Sequence, residues 1–167
     1  MANRAEFNSV DLLISQLEPL AQTGGIDPMI VSSWAGIIAV EAVTAYELSI
    51  KRICEDFAKK KHKVFGSFVK ASYERLNGRI SYKDLREGIV KPYGEKYYKR
   101  LTSIKESKTT IIMASDRVDL VQTYDNLIMC RNRFVHAGVL TLSFAEAVKF
   151  YQIGKNLIDV LDETMKR

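Results

Sequence analysis

The sequence predicts an all-α bundle built round one long central helix, and three observations carry that reading. Apolar residues recur at helical spacing over most of the chain. The stretch from Trp34 to Tyr46 is apolar nearly all round, with Glu41 as its only charge, as in a helix buried on every side. Only 3 of 167 residues are proline, and no paired strands can be found. That length fits one domain, residues 1–167, with a sizeable core. No internal repeat and no linker rich in Pro, Gly or Ser divides it.

A first helix is predicted from about Phe7 to Ala21, with Val10, Leu13, Leu17 and Leu20 on its inward side. Gly24-Gly25 and Asp27-Pro28 end it and start the next, which runs from Pro28 to about Lys61. Shorter helices are expected over Phe65 to Leu76, Tyr82 to Val90 and Glu95 to Ser107. Lys108 to Ser115 reads as a loop, because Thr109-Thr110-Ile111-Ile112 is β-prone and has no partner strand. Ser115 and Asp116 are candidate caps for the helix leading to Arg131. Ser143 caps a last helix, with Phe144, Val148, Tyr151, Leu157 or Ile158, and Leu161 turned inward.

With 47% hydrophobic residues the chain is not a disordered or low-complexity protein. Cys54 and Cys130 are far apart and sit on apolar sides of helices, which argues against a disulfide framework and for a reducing cytosol. The residues after Met1 begin no signal peptide, and no apolar run approaches membrane-spanning length. The expectation is a soluble, cytoplasmic protein without a membrane partner.

The net charge of +5 is unevenly spread. Residues 51–108 hold 17 Lys and Arg against 7 Asp and Glu, so the rest of the chain is acidic. Tyr93, Tyr97 and Tyr98 lie among Lys91, Lys96, Lys99 and Arg100. Basic residues interleaved with aromatics suit phosphate neutralisation and base stacking on nucleic acid, which points to a polyanionic partner. A solvated helical face with tyrosines anchored in the core is the plainer alternative for any one residue. Lys96, Lys99, Arg100 and, further on, Arg133 are the RNA-binding candidates.

The sequence Cys130-Arg131-Asn132-Arg133-Phe134-Val135-His136-Ala137-Gly138 carries the chemistry. Leu120, Tyr124, Leu127 and Arg131 fall on one helical stripe, with Phe134 and Val135 on its flanks. A guanidinium amid an apolar stripe needs an acid, a phosphate or a wet interface. His136 lies five residues on, about 140° away round an unbroken helix. The two converge only if the helix ends or distorts, or if the partner residue comes from a second copy. Gly138 supplies a helix stop. Alternatively, Arg131 pairs with a core acid and His136 merely caps the helix end.

This Arg-x4-His pair, with a polar residue after the arginine, resembles the signature of the HEPN superfamily, small α-helical domains of which many are metal-independent ribonucleases. The resemblance extends over roughly residues 30–165 to HEPN proteins of bacterial defence and toxin systems. Tyr46-Glu47 resembles the aromatic–acid pair in that family's second helix, which implies that Glu47 supports Arg131 by a bidentate pair. Glu41 competes for that role, and a surface salt bridge would equally explain Glu47.

The resemblance implies attack of the ribose 2′-hydroxyl on the adjacent phosphate, leaving a 2′,3′-cyclic phosphate end. Histidine side chains titrate near neutral pH, which suits His136 to proton transfer. Arg131 offers a permanent planar charge for the phosphorane. Asn132, four residues before His136, is placed to orient it. One histidine does not easily serve as both acid and base, and HEPN ribonucleases form their sites in a homodimer. Some HEPN toxins carry a nucleotidylated tyrosine two residues after the histidine; Gly138 stands there instead. No cofactor is implied, and His62, set among Lys59, Lys60, Lys61 and Lys63, belongs with a basic face rather than a metal site. An antitoxin or other regulatory protein is an implied partner. The rival readings are a catalytically silent HEPN module that binds RNA, a nucleotide or a protein, and a helical adaptor with a basic surface.

Overall fold

The computed structural model describes residues 5–23, 25–74 and 80–166, and every element in them is helical. A short 3-10 turn, Ala5–Phe7, leads into α1 (Asn8–Gln22). α2 (Pro28–Lys61) opens with Pro28 in its first turn and the Asp27 carboxylate accepting from the Met29 amide at 2.8 Å. It ends where His62 turns extended. His62 Nδ1 accepts from the Val64 amide at 3.3 Å and so starts α3 (Lys63–Tyr73), a role that the basic-face reading did not foresee. Gly66 seats α3 on α2, since a Cβ there would run into the Lys59 side chain. Leu76, the expected end of this helix, lies outside the described residues.

The register of the bundle follows from ring contacts. Phe134 of α5 (Leu120–Ala137) lies on Gly36 of α2, and Tyr124 of α5 stacks on Tyr46 at 5.3 Å between centroids. Ten residues separate the two contacts on each helix, so α5 runs antiparallel to α2. Trp34 meets Phe144 at the start of α6 (Phe144–Met165), and Tyr46 donates to the Tyr151 carbonyl at 2.7 Å, so α6 runs parallel to α2. Gly154 leaves room for that tyrosine hydroxyl. Tyr46, Tyr124, Tyr151, Leu127, Leu157, Ile158 and Leu161 fill the space between the three helices. α1 is fastened across them: Lys155, nearly buried, reaches Asp11 Oδ1 at 2.7 Å, and the Tyr151 hydroxyl donates to the same oxygen at 2.9 Å.

Several expectations need correction. α4 runs without a break from Glu95 to Asp116, so the segment from Lys108 to Ser115 is helix rather than loop. Ile112 is buried against the core, and the Thr110 hydroxyl bonds back to the Glu106 carbonyl. Tertiary burial thus outweighs local β-propensity. α5 is capped by Asp119, whose carboxylate accepts from the Gln122 amide at 2.8 Å, not by Ser115 or Asp116. The stretch Asp84–Val90 is wound as a π-helix, followed by the 3-10 turn Lys91–Tyr93. Val10 and Ile14 are the buried residues of α1, whereas Leu20 is exposed. α2 is also long and apolar enough by composition to cross a membrane, with a mean hydropathy of 1.5 over its most apolar window. Here it packs against α6, α3, α5 and α1. Ser143 caps α6 in a reciprocal box with Glu146, as its position predicts.

Candidate functional site

The end of α5 places the Arg131–His136 segment. Leu120, Tyr124 and Leu127 are buried, and Arg131, one turn beyond Leu127 on the same stripe, is half-buried where that stripe reaches the end of the core. Phe134 sets the height of this turn by lying against the bare backbone of Gly36, while Val135 is exposed. A lone glycine within an apolar helix was the sequence signal for that close approach. Gly138 takes a left-handed conformation with φ 65° and ends the helix. Its amide donates to the Phe134 carbonyl at 2.9 Å, the bond of an αL cap, and the Val139 amide donates to the Arg133 carbonyl at 3.3 Å.

The helix stays regular through His136 to Ala137. Within one chain, Arg131 and His136 therefore point about 140° apart. Arg131 faces the core side and His136 is exposed on the outer side. Nη1 of Arg131 donates to the Asn132 side-chain oxygen at 3.0 Å. Among the described residues no carboxylate pairs with Arg131, so a half-buried cation keeps most of its donors for an anion. The side-chain oxygen of Asn132 is thus used by the arginine, and its amide group keeps its two donors.

The aromatic–acid pair divides. Tyr46 is deep in the core, and burial, reinforced by its neighbours Tyr124 and Tyr151, holds its hydroxyl well above the usual phenol range. Glu47, by contrast, is bonded to Lys51 at 2.6 Å on its own helix and does not support Arg131. The antiparallel register puts Glu47 level with about residue 123 of α5, roughly 12 Å along the axis from Arg131. Glu41 is half-buried on the side of α2 turned away from α5, alongside Ile37, Thr44 and Leu48. The Glu47–Lys51 pair is part-buried rather than an exposed surface bridge.

Arg133 is exposed near His136, but Lys96, Lys99 and Arg100 lie elsewhere. The start of α4 meets Phe57, with Tyr97 at 5.2 Å between ring centroids. Phe57 is 21 residues beyond Gly36 on α2, so these three cations stand roughly 30 Å from the Arg131 turn. α4 then returns: Lys149, at the start of α6, reaches the Asp116 carbonyl at 3.3 Å. Both cysteines are buried and free, and burial pushes the Cys54 thiol up to about 12. Among the described residues there is no group of three or more His, Cys, Asp or Glu placed to share a metal ion.

Comparison with known proteins agrees with this geometry at the level of the family. The RiboL-PSP-HEPN family matches residues 5–167, nearly the whole chain. No curated protein and no solved structure matches it. A helical bundle with an Arg-x4-His segment at the end of a core helix, and a family match over almost its full length, give one conclusion: the chain belongs to the RiboL-PSP-HEPN family.

Proposed function

We propose that the protein is an endoribonuclease, a toxin or defence effector acting on cytoplasmic RNA, whose cleft forms between two copies of the chain and needs no divalent metal. Its family makes it a HEPN-type nuclease or RNA-binding module. The observation that carries the finer reading is the pairing of a half-buried, acid-free Arg131 with an exposed His136 that diverges from it on one straight helix. A two-fold axis near the ends of the α5 helices brings the arginine of one copy toward the histidine of the other.

The surface supports this arrangement. Met129, Val135 and Val139 are exposed apolar residues on α5 and just beyond its end, the part of the surface that such an axis would cover. Covering such a surface removes it from water, at about 25 cal/mol per Å² of apolar area.

In this cleft the imidazole of one His136 takes the proton of the ribose 2′-hydroxyl, whose oxygen attacks the adjacent phosphorus. The bond from phosphorus to the 5′-oxygen breaks, and the second His136 returns a proton to that leaving oxygen. Arg131 binds the equatorial oxygens as charge builds on them, with Asn132 fixing its fork. The products are a 2′,3′-cyclic phosphate and a 5′-hydroxyl. Incubation with total RNA in the presence of a chelator tests the reading. Wild type cleaves and leaves cyclic ends, and His136→Ala loses on the order of 10²–10⁴ in rate. Undiminished cleavage by His136→Ala would overturn the mechanism. Wild type that binds RNA and leaves it intact would favour a silent RNA-binding module, which the divergence of Arg131 and His136 within one chain also allows.

A further inference from the structure

The segment Lys59-Lys60-Lys61-His62-Lys63-Val64-Phe65-Gly66-Ser67-Phe68-Val69-Lys70 is left over from the nuclease reading. It holds five lysines and no acid. Val69 and Gly66 are buried against α2, and Phe65 touches Tyr93 edge-on. Val64 and Phe68 point the other way, 69% and 67% exposed, one turn apart on the free side of α3, with Ala71 next in the row. Lys59 is held by Glu55 at 2.6 Å, and Lys61 lies over the Phe57 ring. Lys60 and Lys63 make no ion pair among the described residues, and Lys70 adds its charge to that of Lys59 beside Glu55.

We propose that this ridge is a docking surface for a partner protein that presents an acidic helix with an apolar stripe. The row Val64–Phe68–Ala71, at spacings of four and three, fits the stripe of another helix. Lys63 and Lys70 lie on one side of that row, about 100–120° round the helix from Val64. With Lys60 at the end of α2 they give the ridge a positive edge that fits carboxylates beside the stripe, which steer the encounter and fix its register. Two large apolar side chains on an 11-residue helix make too narrow a face for a helix lying in a bilayer, which buries an apolar face along its whole length. An RNA strand could stack a base on Phe68, but the aliphatic Val64 and Ala71 in the same row offer no such platform. The ridge belongs to the α4-start end of the bundle, roughly 30 Å from the Arg131 turn, so docking here leaves the proposed cleft open. The inference is independent of whether the protein cleaves RNA.

The test uses the full chain and a fluorescein-labelled helical peptide of about 18 residues, with leucines on one stripe and glutamates on both flanks. A second peptide replaces the glutamates by lysines. Fluorescence anisotropy should show binding of the acidic peptide only. Phe68→Ser and the triple variant Lys60→Glu, Lys63→Glu, Lys70→Glu should each weaken it by about tenfold or more. Circular dichroism of both variants should match wild type. Because residues 64 and 68 are largely exposed, Val64→Ser gives a second apolar probe should Phe68→Ser lose helix. Equal binding of both peptides, or binding that ignores Phe68 and Val64, overturns the proposal. So does tighter, Phe68-dependent binding to phosphatidylglycerol vesicles or to an RNA oligonucleotide, which would assign the ridge to lipid or to RNA.

Discussion

The ring of Phe134 occupies the space in which a Cβ on Gly36 would stand. This contact fixes the last turns of α5 against α2 and thereby the position of Arg131 and His136. Gly36→Val should destabilise the fold by about 1–3 kcal/mol through overpacking, despite the poorer helix propensity of glycine. Thermal unfolding reads this directly. Combining it with Phe134→Ala should recover part of the loss, because the two changes share one space. Additive losses would show that the contact is not the cause.

The clamp on α1 is asymmetric. Lys155 is nearly buried, with its ammonium 4.3 Å from the centre of the Tyr151 ring, while the Asp11 side chain is 43% exposed. Asp11→Ala strands the buried ammonium and leaves the Tyr151 hydroxyl only the Phe7 carbonyl, at 3.4 Å, as acceptor, at a cost of about 1–3 kcal/mol. Lys155→Met keeps the packing and should cost less. Denaturant midpoints of the two variants check the order.

Asp125 gives the fold a pH signature. Its carboxylate accepts the Tyr82 amide at 2.8 Å, but burial, with the charge of Asp84, raises its pKa above the usual aspartate range despite that amide. A raised folded-state value means that its favourable contribution is complete in acid, below the unfolded value. It is lost as pH rises through the folded value. Asp125→Asn keeps an acceptor for Tyr82 and removes the charge. It should therefore raise the melting temperature near pH 7.5 and change little near pH 4. A lower melting temperature near pH 7.5 would contradict this sign.

Lys96, Lys99 and Arg100 stand roughly 30 Å from Arg131, so they can add affinity without touching the reacting phosphate. Reversing all three charges should weaken RNA binding and flatten its salt dependence by about 0.9 in log–log slope per lost duplex phosphate contact, or 0.7 on a single strand. Turnover at saturating RNA should hold. Filter binding and single-turnover cleavage separate the two effects, and a fall in turnover alone would refute the division of labour.

What could be read from the sequence was what local chemistry decides. Asp27-Pro28 and Ser143 are N-terminal signals that work through backbone amides within one turn, and Gly138 is a stop that works through its own φ. The periodicity of Leu120, Tyr124, Leu127 and Arg131 placed the arginine correctly on the inward stripe. What failed depended on neighbours distant in sequence. Thr109 to Ile112 has strand propensity, but Ile112 is claimed by the core. Glu47 was matched to Arg131 by analogy, and the register of α5 on α2, set by Gly36 and Tyr46, leaves it beside Lys51 instead.

The central claim is a cleft assembled from Arg131 of one copy and His136 of another. The measurement closest to it mixes Arg131→Ala with His136→Ala chains, unfolded and refolded together to exchange subunits, and assays cleavage of one RNA. Each variant alone should be inactive. A mixed dimer sets its one remaining Arg131 against its one remaining His136 but lacks the second histidine as proton donor, so the mixed population should regain measurable cleavage that stays well below wild type. A mixture as inactive as its parents, with subunit exchange verified by differently tagged chains, would contradict the composite cleft.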